Sequence, residues 1–256
     1  MDLQTFFAQH PVAAMGLSGG VDSAYLLYAG LSFGAKISPY FVKTIFQPQF
    51  ELDDALRICK QVGVELRVLT ADILAVPRVA ENGEQRCFFC KQQIFGTIAT
   101  AAQEDGIPLL LDGTNADDDV SERPGMRALL MLSVQSPLKL CGIGKAEVRR
   151  CARAAGLFCY DKPAYACLAT RVPTGTPITA ESMQAVEQGE AALFSMGFSD
   201  FRLRVLGDAA RLQLPAAQMA QAVQLHREIC AALTPQLFSA ILLDFTPRDA
   251  AEGDFA

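Results

Sequence analysis

The chain has 256 residues, of which 51% are hydrophobic and 20% charged, and its formal net charge is −6. Such a composition supplies one large or two modest globular domains and excludes disorder over most of the length. The acidic balance argues against general nucleic-acid binding, which depends on Lys and Arg contacts to phosphate. No apolar run approaches the ~20 residues of a membrane span, and the opening residues, which lack a cationic stretch, lead us to expect no signal peptide. A cytoplasmic protein without nucleic-acid or membrane partners is expected. In that compartment the eight cysteines serve metal binding, catalysis or burial rather than a disulfide framework.

Residues 12–18 (VAAMGLS) have the apolar run of a buried strand, and residues 22–34 a helical pattern with Ala24, Leu27 and Leu31 on one side. A strand over 36–44, a helix over 52–62 ending at Gly63, and a strand over 64–70 follow. A helix over 90–104 and a strand over 108–111 (PLLL) complete the alternation. Strands alternating with helices predict an α/β fold with a doubly wound parallel sheet. The pattern changes after about Pro137. Helices are expected over 145–155 and 180–196, the second capped by Thr179. Short strands over 201–206 and 210–214 flank Gly207-Asp208, and a helix over 216–233 precedes a strand within 237–245. A smaller C-terminal α+β domain is therefore expected, with the chain dividing into 1–165 and 166–256, and a loose polar tail after Pro247.

The first turn carries the sharpest signal. A strand feeding SGGVDS (Ser18, Gly19, Gly20, Asp22, Ser23) and then a helix is an anion site. Glycines allow close backbone approach, and the helix N-terminus adds partial positive charge. Neither the Walker pattern nor GxGxxG is present. The plain alternative is a strand–turn–helix connection with a serine cap. Downstream, LDGTNADD follows the fourth strand, where loops of parallel sheets bind ligands. Gly113, Thr114 and Asp117 are candidates to contact a bound nucleotide or its metal; the bland account is a solvated acidic loop.

Cys87 and Cys90 form C-F-F-C just before a helix, and Cys167 stands in PAYACLATR. The CxxC spacing suits one metal or cluster, a redox dithiol, or core packing. Spacing alone does not join Cys167 to the pair. Cys59, Cys141, Cys151, Cys159 and Cys230 are expected to behave as small buried hydrophobes. Arg123, Arg127, Lys139, Lys145, Arg149, Arg150, Arg153, Lys162 and Arg171 form a basic stretch within an acidic chain. The residues from 145 to 153 fit a solvated helix face, whereas Arg171, near Cys167, is a functional candidate. Arg202 and Arg204 share a strand face, and Glu190 lies on the preceding helix. His10 and His226 have no catalytic context.

In this order, SGGVDS, RCFFCK, DGTNADDD, ERPG, SPL and DKPAYACLATRVPTGTPIT resemble the ATP-dependent sacrificial sulfur transferases of the LarE type, within the PP-loop ATP pyrophosphatases. The resemblance runs from about residue 12 to 214 and is most specific over 161–179. It implies an adenine nucleotide alpha hydrolase-like fold. In it, Ser18, Gly19, Gly20 and Ser23 hold pyrophosphate, and Asp22 helps to hold Mg²⁺. It also implies a small-molecule nucleotide substrate, pyridinium-3,5-biscarboxylic acid mononucleotide. Its carboxylate is adenylated and then converted to a thiocarboxylate for the nickel-pincer cofactor of lactate racemase and related enzymes. Arg202, Arg204 and Glu190 would meet the substrate phosphate, and Cys167 and Arg171 the chemistry. In one branch the cysteine matching Cys167 gives up its own sulfur. The further cysteines Cys87 and Cys90 place this chain nearer a branch in which three cysteines hold a 4Fe–4S cluster. A homo-oligomer, a hexamer, is implied as well. The alternatives are a PP-loop tRNA thiolation enzyme, a zinc-containing nucleotide-binding module without catalysis, and an ammonia-adding ligase.

Overall fold

The computed structural model describes residues 1–118 and 124–248. Arg123, with Glu122 of the ERPG motif, and the tail from 249 lie outside the described residues. The described residues divide into two compact units. The first comprises the described residues of 1–73 and 85–162, the second 74–84 and the described residues from 163 onward.

The first unit opens with α1 (Leu3–Gln9), whose N-cap Asp2 accepts a hydrogen bond from the Thr5 N–H at 2.8 Å. Then come β1 (Val12–Gly16), α2 (Val21–Ser32), β2 (Lys36–Lys43), α3 (Gln49–Val62) and β3 (Arg67–Thr70). The chain leaves this unit through a single 3₁₀ turn and α4 (Pro77–Ala80), which belong largely to the second unit. It returns in α5 (Arg86–Glu104), β4 (Leu110–Leu111), α6 (Pro124–Met131), α7 (Pro137–Leu140) and α8 (Lys145–Ala154).

The four strands are parallel in the order β3-β2-β1-β4. Successive side chains of a strand face opposite sides of its sheet, and the core follows that alternation. Ala13, Met15, Ile37 and Phe41 join α1, α2, α3 and α8 in one apolar cluster. Ala14, Tyr40, Val42 and Leu110 join α5 and α6 in another. This is the doubly wound α/β fold expected of a PP-loop protein. Because β2 lies on one side of β1 and β4 on the other, the strand order reverses between β1 and β4. That is the switch point where open α/β sheets place ligands, beyond the carboxyl ends of their strands.

The second unit continues with a 3₁₀ turn at Leu168–Arg171, α9 (Ala180–Ser195), β5 (Arg202–Leu206), β6 (Ala209–Gln213), α10 (Met219–Gln224), α11 (His226–Leu233) and β7 (Ile241–Leu243). β5 and β6 form an antiparallel hairpin, and β7 pairs parallel to β6. Thr179 makes the capping box of α9 with Ser182, as its sequence position requires. The 74–84 segment is stitched in by Asn82. Its side-chain amide donates to the carbonyls of Pro173 and Thr176, each at 2.9 Å.

Several boundaries differ from the sequence expectation. The CFFC pair lies inside the first turn of α5 rather than before it. The helix expected over 216–233 is broken at Leu225 into α10 and α11, after a 3₁₀ turn at Ala216–Gln218. The strand over 108–111 shrinks to two residues, and Gln135 bridges alongside it. No helix among the described residues is long and apolar enough to cross a membrane.

Candidate functional site

In the first unit, β1 runs into Leu17 and Ser18, turns through Gly19 and Gly20, and enters α2. Gly20 is the N-cap and supplies no side-chain cap, so the leading N–H groups of α2 lack the partner that a Ser or Asp there would give. Gly19 has φ +79°, and a Cβ there would stand 2.6 Å from the Glu51 carbonyl oxygen. Both its handedness and its surroundings therefore demand glycine. Ser23 Oγ ties the turn together: it donates to the Gly20 carbonyl at 3.1 Å, lies 3.1 Å from Ser18 Oγ, and accepts from the Ser18 N–H at 3.3 Å. The loop after β4 presses against the same turn. A Cβ on Gly113 would come within 2.9 Å of Ser23 N.

That second loop is internally braced. Buried Asp112 accepts from Thr114 Oγ1 and, at 2.5 Å, from Ser136 Oγ. Asp22 and Asp117 are joined through α8. Lys145 Nζ pairs with Asp22 Oδ2 at 2.5 Å, and the Lys145 backbone N–H donates to Asp117 Oδ2 at 2.6 Å. Asn115 Nδ2 donates to Asp22 Oδ1 at 3.3 Å, and Asn115 Oδ1 accepts from the Asp117 N–H at 2.9 Å. Asp22, Lys145, Asp117 and Asn115 thus close a ring. Asp117, expected at ATP or its metal, accepts from the first N–H of α8 in the structure, where a helix N-terminus favours negative charge. Both side chains of the Lys145–Asp22 pair are partly exposed, and such pairs contribute about 0–1 kcal/mol.

The basic stretch does not form one solvated face. Arg150 does face outward, paired with Glu147 at 2.5 Å. Arg149, by contrast, donates to the carbonyls of Tyr160 at 2.9 Å and Lys162 at 2.8 Å. Lys162 in turn pairs with Asp54 and lies 4.6 Å from the Phe50 ring centroid. Burial pulls its ammonium pKa down, and the Glu51 carboxylate opposes that shift.

Cys87 is exposed and Cys90 half-buried on the first turn of α5. Phe88 between them is buried and stacks edge-on with Phe89, and Arg127 lies over it at 4.4 Å. The two thiols are three residues apart and so share a helix face. The other cysteines divide: Cys59 and Cys159 are buried, Cys141 and Cys151 half-buried, and Cys230 exposed. The expectation of burial thus fails at Cys230. Burial pushes the Cys59 thiol up to about 11. His10 packs against Phe6, and exposed His226 contacts the Val223 carbonyl at 2.9 Å.

In the second unit, half-buried Cys167 begins the 3₁₀ turn that ends at Arg171. Its carbonyl accepts from the Thr170 N–H at 3.0 Å and from Thr170 Oγ1 at 2.9 Å. The Arg171 guanidinium is wholly buried and grips Glu190, with Nε to Oε1 at 2.6 Å and Nη2 to Oε2 at 3.3 Å. Glu190 also accepts from the Tyr165 hydroxyl and, at 3.1 Å, from the Leu203 N–H. One carboxylate therefore pins residues 165 and 171, on both sides of Cys167. Arg202 is buried and donates to the Phe201 carbonyl at 2.7 Å. Arg204 donates to Gln213 Oε1 at 2.5 Å and to the Thr170 carbonyl at 2.9 Å. Glu190, expected at the substrate phosphate, holds protein groups in the structure.

Lys145, Asn115, Lys162 and Tyr165 were not singled out for these roles in the sequence, because their partners are remote in the chain and leave no local signature. Cys87 and Cys90 belong to the first unit and Cys167 to the second. Among the described residues, no group of three or more His, Cys, Asp or Glu side chains is set to hold a metal ion.

A reversal of strand order beside a glycine turn, with a helix that has no side-chain cap after it, is consistent with the PP-loop class of α/β fold. No protein-family model matches the chain. It is 34% identical over 226 residues to the uncharacterized protein slr1717 of Synechocystis, covering 87% of this chain and 84% of that one. It is 25% identical over 232 residues to the pyridinium-3,5-bisthiocarboxylic acid mononucleotide synthase of Lactiplantibacillus plantarum, covering 90% and 84%. A shorter match, 27% over 121 residues, covers 38% of this chain and 35% of the tRNA-specific 2-thiouridylase MnmA of Fervidobacterium nodosum. The chain belongs to the same family as slr1717, and its likeness to the two sulfur-transferring enzymes supports a place among the PP-loop sulfur transferases.

Proposed function

We propose that this protein is an adenylating sulfur transferase acting on pyridinium-3,5-biscarboxylic acid mononucleotide. The glycine turn carries the reading. Gly19 is held in a conformation and a space that only glycine fits, at the head of an uncapped helix, which suits a bound polyphosphate. The likeness to the bisthiocarboxylic acid mononucleotide synthase over 90% of the chain supports the substrate.

A carboxylate is a poor electrophile. In the proposed reaction a substrate carboxylate oxygen attacks the α-phosphorus of ATP, pyrophosphate leaves, and an acyl adenylate forms. A sulfur nucleophile then displaces AMP and leaves a thiocarboxylate. Ser18, Gly19, Gly20 and Ser23 hold the leaving pyrophosphate, with Gly113 bordering the same turn and Thr114 next to it in the chain. Asp22 is the carboxylate suited to Mg²⁺, which when bound offsets phosphate charge. In the second unit, Glu190 and Arg171 position the Cys167 turn, and Arg202 and Arg204 lie on the neighbouring strand as candidates for the substrate phosphate. Residues 166–256 are the proposed substrate and sulfur-transfer domain, and a homo-oligomer is proposed for the assembly.

Cys87, Cys90 and Cys167 are proposed to hold a 4Fe–4S cluster. The donor set fits the group: all three are thiols, and the CxxC pair stands on one accessible turn of α5. Three ligands leave one iron open, and the cluster would supply sulfide there.

The test supplies ATP, Mg²⁺ and the mononucleotide to anaerobically prepared protein. AMP, pyrophosphate and a thiocarboxylate product are expected, with iron and acid-labile sulfide in the protein and the mass of Cys167 unchanged after turnover. A colourless, zinc-replete protein overturns the cluster. Thiolation of tRNA, the reading that the MnmA match favours, is the competing outcome.

A further inference from the structure

Two positive charges compete for one carboxylate in the first turn of α2. Asp22 is suited to Mg²⁺ in the reading above, yet its Oδ2 is occupied by the Lys145 ammonium at 2.5 Å. An ammonium and a divalent cation repel one another and do not share a carboxylate oxygen at close range. The backbone of Lys145 is fixed. It is the first residue of α8, its N–H donates to Asp117 Oδ2 at 2.6 Å, and a Cβ on Gly144 before it would stand 2.6 Å from the Asp117 carboxylate. Its four-carbon stem is not fixed in this way: the side chain is 34% exposed. Lys145 is a movable ammonium on a rigid pivot.

We propose that Lys145 is an exchangeable counter-ion of the nucleotide site. Without nucleotide it neutralises Asp22. When a metal–nucleotide complex enters, it yields Asp22 to the metal and its ammonium turns to the polyphosphate. The inference rests on the nucleotide reading of the glycine turn. It leaves no charge unpaired in either state: the carboxylate exchanges a monocation for a dication, and the displaced monocation gains an anion. The ring partners acquire matching roles. Asp117 holds the pivot, and Asn115 keeps hold of Asp22 Oδ1 through the exchange.

Lys145→Met and Lys145→Arg test the exchange in the full chain, with Mn²⁺ as the metal probe read by electron paramagnetic resonance and ATP binding read by calorimetry in the presence of Mg²⁺. Lys145→Met is expected to bind Mn²⁺ alone about tenfold more tightly than wild type and ATP about tenfold more weakly, the weight of one charge-assisted hydrogen bond. Lys145→Arg should recover most of the ATP affinity. Affinities within twofold of wild type on both measurements overturn the exchange, and so does a parallel loss of metal and ATP binding, which would make Lys145 structural. A wild-type protein that binds no ATP overturns the nucleotide reading itself. ATP binding that ignores the substitution overturns the exchange alone.

Discussion

Replacing Glu190 with Gln asks whether one buried carboxylate holds the turn that carries Cys167. Arg171 is 0% and Glu190 2% exposed, so water screens neither. The carboxylate receives four donors: Arg171 Nε and Nη2, the Tyr165 hydroxyl and the Leu203 N–H. Gln keeps the shape but offers one acceptor oxygen, turns an NH₂ toward a donor, and leaves the guanidinium as an uncompensated buried charge. Breaking a buried pair in this way costs about 3–5 kcal/mol. For a chain of this size about 1 kcal/mol moves Tm by ~2–4 °C, which predicts a fall of about 6–20 °C. Thermal and urea unfolding measure the loss, and peptide-mapped alkylation of Cys167 in metal-free protein measures the loosening of its turn. The paired substitution Arg171→Met with Glu190→Leu removes both charges and should recover much of the stability, because apolar replacement of a buried pair is often near neutral. A Glu190→Gln protein within about 1 kcal/mol of wild type, with Cys167 alkylated at the wild-type rate, refutes the clamp.

Gly19→Ala forces a Cβ into a left-handed residue, at about 1–2 kcal/mol, and against the Glu51 carbonyl at 2.6 Å. ATP affinity should fall at least about tenfold as the turn shifts; calorimetry showing unchanged affinity sinks the cradle. Alkaline stability tests the Cys59 environment. Its thiol rises from 9.0 to about 11 on folding, so the folded state binds the proton more strongly than the unfolded one. The contribution is intact below pH 9.0 and disappears as pH climbs through about 11. Cys59→Ala should therefore show a shallower fall of Tm over that window, and an identical slope would count against the burial effect.

The glycine turn was legible from sequence because its demands are local: a strand, a left-handed residue and an uncapped helix start occupy adjacent positions. The N-cap of α9 was legible for the same reason, since Thr179 directly precedes the helical pattern; its reciprocal bond with Ser182 appeared in the structure. Other local patterns misled. The apolar period over 216–233 runs through Leu225, where the folded chain divides into α10 and α11. α1, with seven residues, is too short to hold itself together in isolation; it rests on α2, where Phe7 packs so tightly against Gly30 that an added Cβ would approach to 2.9 Å.

The amino-acid sequence by itself determined the alternation of strands and helices, the glycine turn between a strand and a helix, and a thiol pair three residues apart. Only the folded chain decided that Asp22 answers to Lys145, 123 residues away, that Asp117 serves a helix start, and that Glu190 secures both flanks of Cys167. Backbone propensity and side-chain period act over a few residues. Pairs of charges brought together by sheet order and helix packing leave no periodic trace in the chain, so their partners emerge only when the layers close.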